Sequence, residues 1–159
     1  MAHFAFLTIW RLKTPLAPVW ACVNDYEHWP DWWKGVEQVD IVRRGAADGV
    51  GTFAKEVWKS ALPYRLRFDI TVTKVIPMQV IEVSSDGALR GTGIMRFSTE
   101  GDETIVRFNW DVDTTEWWMN LIAPVAAPLF RWNHAVIMNW GAKSLAERLN
   151  VQLVQTQES

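Results

Sequence analysis

His134, Glu56 and Tyr64 are the side chains in this sequence best placed to move a proton. Met138, Ala142, Leu145 and Leu149 recur at spacings of four, three and four, which predicts one apolar stripe on a long helix from Pro128 to about Leu149. His134 and Ala135 extend that stripe towards the N-terminus, with Asn133 next to them. On that face His134 is either a hydrogen-bond donor or general acid/base for a bound ketone or phenol, or a buried histidine bonded to backbone or to the Trp117–Pro124 segment. The sequence offers it no evident partner, which favours the second role. Glu56 lies in a strand of ambiguous alternation, where Phe53 and Val57 compete with Ala54 and Trp58 for the inward face. The expected placement is outward or beside a basic neighbour. Placed inward with Trp58, it would be a cavity carboxylate with a raised pKa and a candidate acid.

Other constellations carry less chemistry. Asp25, Glu27, His28 and Asp31 do not match a metal-ligand spacing, so no metal site is expected. Cys22 is alone, with no disulfide partner and no basic neighbour to lower its pKa. No glycine-rich loop leads from a strand into a helix, so no nucleotide cofactor is expected. Glu82 shares the ambiguity of Glu56. Arg90 and Arg96 fall opposite Leu89, Gly91, Met95 and Phe97, on the outer face. Arg65, Arg67, Asp69, Arg107, Asp111 and Asp113 read as a solvated charge ladder. A net charge of −2 offers no field to attract nucleic acid.

The chain has 159 residues, 49% of them hydrophobic, which suits a single domain spanning 1–159 with a real core. Its outlier is tryptophan, present eleven times. That many large side chains point to a roomy aromatic interior, an interfacial surface, or both. Trp58, Tyr64, Phe68, Trp110, Trp118, Asn133, His134 and Met138 are the expected ligand contacts. The N-terminus lacks the pattern of a signal peptide, and a cytoplasmic protein is expected. The longest uncharged stretch, Trp117 to Phe130, has 14 residues and two prolines, which is short for a membrane span.

Positioning these residues falls to an ordered set of elements. Residues 3–13 alternate as a strand that Pro15 and Pro18 stop. Two short helical segments follow, around Pro18–Val23 and Asp25–Trp33. Strands are then expected at 36–42, 52–59, 64–75, 79–84, 89–98 and 104–113, with one wet face. Trp117, Trp118, Leu121 and Ile122 form a short helix that Pro124 ends. A second stripe on the long helix, Leu129, Trp132, Val136 and Trp140, needs a cover. Trp117–Phe130 either folds over it as a lid or meets a membrane surface or a second subunit. The tail 151–159 is expected to fray.

This order, with Pro18-Val-Trp, Trp29-Pro, Trp32-Trp33, Gly35-Val36, Leu62-Pro-Tyr, Gly87-Ala-Leu-Arg-Gly-Thr-Gly93 and Phe130-Arg-Trp-Asn-His134, resembles the START-like (SRPBCC) superfamily, in its polyketide cyclase/dehydrase-like branch. The resemblance implies an α+β helix-grip fold, a curved antiparallel sheet of about seven strands around the C-terminal helix. It implies a cavity for a hydrophobic small molecule, lipid-like or aromatic. Members include aromatase/cyclases, lipid carriers and hormone receptors, so the resemblance leaves binding and polyketide-type catalysis both open.

Overall fold

A computed structural model describes all 159 residues. In chain order it contains β1 (Ala2–Lys13), α1 (Leu16–Asn24), a 3-10 turn (Tyr26–Asp31), β2 (Val36–Arg43), β3 (Phe53–Lys59), β4 (Arg65–Ile76), β5 (Val80–Gly87), β6 (Leu89–Glu100), β7 (Glu103–Thr114), α2 (Trp117–Leu149) and β8 (Gln152–Glu158). The eight strands form one open antiparallel sheet ordered β2-β3-β4-β5-β6-β7-β1-β8. The segment from α1 through the 3-10 turn carries the chain from β1 to the opposite edge. This is the helix-grip architecture.

Strand alternation selects the inner face. Thr8, Trp10 and Leu12 of β1, Phe68, Ile70 and Val72 of β4, and Val106, Phe108 and Val112 of β7 are buried. Of these, Trp10, Leu12, Val72, Val106 and Phe108 close over Met138, Ala142 and Leu145 of α2, the stripe read from spacing, while Phe68, Ile70 and Val112 pack with Leu89 in a separate cluster. Full burial of a Leu145-sized side chain contributes about 1.5–3 kcal/mol. Sheet curvature follows from two rings. Phe68 on β4 and Trp110 on β7 are three strands apart, yet their ring centroids lie 6.0 Å from each other. On a flat sheet three strand spacings span roughly 14 Å.

The structure corrects three expectations. The helix expected to end at Pro124 and the one expected to start at Pro128 are a single helix of 33 residues. Pro124 and Pro128 are four residues apart and both exposed, so the carbonyls they leave unbonded are on the wet side. Meanwhile Met119, Ala123 and Phe130 bury the opposite side against Phe4 and hold the helix straight through. The tail also does not fray. Asn150 adopts a left-handed conformation (φ 53°) and its N–H bonds to the Ala146 and Glu147 carbonyls. Val151 N–H returns to the Ala146 carbonyl, which completes a helix-ending turn. The chain then runs along β1 as β8, so the sheet has eight strands rather than about seven. By length and composition α2 also passes for a membrane-crossing helix, the reverse of the expectation, although its Met138–Leu145 stripe is filled by the sheet.

Candidate functional site

A cavity of about 190 Å³ lies between the sheet and the N-terminal two-thirds of α2. That is well beyond the ~10–15 Å³ a single water needs. Its walls are overwhelmingly apolar, and no lysine or arginine lines it. Trp58 and Phe68 stack at 6.3 Å between centroids and continue to Trp110, which gives one aromatic wall. Trp110 occupies the space a side chain at 93 would take, since a Cβ on Gly93 would lie 2.6 Å from its ring. The opposite wall is α2, and Trp33 sets its height. A Cβ on Gly141 would lie 2.4 Å from the Trp33 indole, whose Nε1 donates to the Ile137 carbonyl at 3.0 Å.

Of the eight expected contacts, Trp58, Tyr64, Phe68, Trp110, Asn133, His134 and Met138 line the cavity. Trp118 does not. It packs edge-on behind Tyr64, 5.1 Å between centroids, because the continuous helix turns it towards the β4 start.

Glu56 reverses its expected outward placement. In β3 the inward set is Ala54, Glu56 and Trp58, and Glu56 is only 5% exposed. Its Oε2 accepts a hydrogen bond from Trp58 Nε1 at 2.7 Å. Burial among apolar walls pushes its pKa up to about 7, against the Trp58 bond, which favours the charged form.

Tyr64, just before β4, accepts a hydrogen bond from Asn133 Nδ2 at 3.2 Å. Its pKa is raised by burial and lowered in smaller part by that bond. Asn133 is buried, with Oδ1 lacking any partner.

His134 lies flat on Phe6, 3.9 Å between ring centroids. Its Nδ1 sits 3.4 Å from a Glu158 carboxylate oxygen, within ion-pair reach but without hydrogen-bond geometry. Glu158 is directly opposite Thr8 in the β1–β8 ladder and accepts the Thr8 hydroxyl. So His134 has a partner, but from β8, not from backbone or Trp117–Pro124. Glu158 escaped sequence reasoning because Gln152–Glu158 is polar and weakly alternating, as befits an edge strand.

Glu56, Tyr64 and His134 all face the cavity without bonding to one another; each leans on its own neighbour. Trp117–Phe130 does not fold over the second stripe. Met119 and Phe130 close one end of the cavity, while Leu129 and Trp132 stay about half exposed. Arg90 and Arg96 are exposed, as expected.

A curved sheet holding an apolar cavity against a long helix defines a helix-grip cavity protein. Residues 11–158 match the family described as polyketide cyclase / dehydrase and lipid transport, and the chain belongs to that family. No curated protein matches. Among solved structures, the chain is similar to a START superfamily protein of Mycobacterium smegmatis (16% identity, TM-score 0.73, 92% of this chain and 98% of that one). It is also similar to the ZhuI aromatase/cyclase of Streptomyces sp. R1128 (14%, 0.72, 93% and 96%). A major latex-like protein from Panax ginseng is similar at 8% identity (0.67, 92% and 97%). At these identities the likeness shows the fold.

Proposed function

We propose that this protein binds a hydrophobic small molecule in the cavity between the sheet and α2. The observation that carries this reading is an apolar cavity in which Glu56, Tyr64 and His134 do not bond to one another. Such a wall holds and orients a ligand mainly by burying its surface. Family membership is consistent with this role. Native mass spectrometry of freshly purified protein, with organic extraction, tests it. A co-purifying hydrophobic molecule is the expected result. A clean mass, together with no uptake from a panel of hydrophobic compounds, would overturn it.

A second reading rests on Glu56. A carboxyl whose pKa is pushed up to about 7 by burial among apolar walls is suited to general-acid chemistry. In a cyclase, aromatase or dehydratase, the activity class of the ZhuI neighbour, Glu56 would protonate a substrate oxygen. His134 and Tyr64 would orient the chain for ring closure. Turnover lost in Glu56→Gln with binding retained would favour this reading over simple carriage.

A further inference from the structure

We propose that the ligand is an uncharged molecule with two separated oxygen functions, a hydroxyl seated on the Asn133–Tyr64 pair and a hydrogen-bond acceptor meeting Glu56. The proposal rests on the cavity being a ligand site, as argued above, and adds what the ligand must carry.

The first pole is Asn133. It is 4% exposed, lines the cavity, and leaves Oδ1 buried without a partner. A buried acceptor without a donor is costly, so the site is complete only when a donor arrives. Asn133 Nδ2 is already committed to the Tyr64 oxygen, which leaves the phenolic hydrogen free. The pair therefore offers the cavity one acceptor and one donor. Turning the amide over exchanges the two roles and leaves the same total. A hydroxyl, both donor and acceptor, satisfies both at once.

The second pole is Glu56. Along the sheet, Glu56 pairs with Phe68 and Trp58 with Leu66, so the Trp58 position lies between Glu56 and the end of the ladder where Tyr64 sits. Four residues of extended chain separate Tyr64 from Phe68, roughly 13 Å. One Glu56 oxygen is occupied by Trp58 Nε1. The other faces no partner and, when the carboxyl carries the proton that burial favours, donates a hydrogen bond to a ketone or ether.

Charge excludes the obvious rival. With no lysine or arginine on the cavity wall, and with His134 already beside the Glu158 carboxylate, a carboxylate or phosphate head would be buried there without a free counter-ion. Fatty acids and phospholipid heads are the wrong chemistry for this interior.

Calorimetric titration tests the assignment. The probes are estrone, whose phenol and ketone lie at opposite ends of a rigid apolar frame, estrone methyl ether, the analogue with the ketone replaced by methylene, and laurate. Estrone is expected to bind tightest. Losing either oxygen function is expected to weaken binding about tenfold, the scale of one hydrogen bond. Asn133→Leu, or Tyr64→Phe should the leucine variant fail to fold by circular dichroism, should erase the preference for estrone over its methyl ether. Glu56→Leu should erase the preference for the ketone, and Glu56→Gln, which keeps a donor, should restore it. Equal affinity for the three steroids would overturn the proposal while leaving the cavity a hydrophobic site. Tightest binding by laurate would overturn it in favour of an anionic ligand. No binding by any probe would remove both the proposal and the reading it rests on.

Discussion

The Trp33 indole fills the space that a side chain at Gly141 would occupy. The indole rests on the bare backbone of α2 and donates to the carbonyl of Ile137, one turn earlier. This contact sets how deep the helix sits in the sheet, and with it how much space remains for a ligand. Trp33 is itself held by Trp10, Trp29 and Trp58, with centroids 5.0–5.2 Å away.

Gly141→Ala is therefore expected to destabilise the protein. Alanine gains up to about 1 kcal/mol of helix propensity. Forcing a methyl into a ring hemmed in by three others costs about 1–3 kcal/mol. A net loss near 1–2 kcal/mol in urea unfolding is the expected result, and unchanged or increased stability would show that Trp33 is free to yield.

The pH dependence of stability should report Glu56. Its pKa rises from an ordinary 4.5 unfolded to about 7 folded, so the folded state binds more protons between those values. The contribution to stability is fully present below about pH 4.5 and is lost as pH rises through about 7, a change on the order of 3 kcal/mol. Glu56→Gln should flatten that part of the profile. A slope unchanged in the variant would place the titration elsewhere.

Glu158 should behave as an anchor for two groups at once. Thr8 is fully buried and gives its hydroxyl to this carboxylate. Glu158→Ala strands that hydroxyl and should cost about 1–3 kcal/mol, whereas Glu158→Gln keeps an acceptor and should recover most of it. Nitrogen chemical shifts of His134 should move in both variants, because the carboxylate at 3.4 Å biases which ring nitrogen holds the proton. Shifts identical to the parent would mean the histidine is oriented by Phe6 alone.

The outer side of the first half of α2 should be energetically silent in the isolated chain. Trp117 and Val125 are 74% and 88% exposed, with Leu121 between them one turn from each. Leu121→Glu with Val125→Glu is expected to leave the melting temperature within the scatter of surface substitutions, about 0.5 kcal/mol. A large loss would show that these residues are covered in solution.

Much of this was legible in the sequence, for identifiable reasons. The Met138–Leu149 stripe and the alternation of β1, β4 and β7 carry strong periods, and burial obeyed them. What failed was decided by tertiary packing. Pro124 and Pro128 read as breaks because local rules ignore which side of the helix they face. In β3, apolar side chains lie on both faces, since Val57 is also buried, so alternation alone had no means of sending Glu56 inward. The β8 strand is polar because it is an edge. Its register against β1, not its composition, puts Glu158 beside His134.

The β8 pairing has a consequence for how the protein is made. Thr8 emerges from the ribosome 150 residues before the carboxylate it binds. β1 likewise waits for β7, some hundred residues on, before it has a neighbour. Contacts so distant along the chain slow folding, since loop entropy is spent before pairing rewards it. Until then the Phe4–Trp10 face of β1 stays open, and a nascent chain halted before Gln152 would present an unpaired strand edge to any chaperone or neighbouring chain within reach.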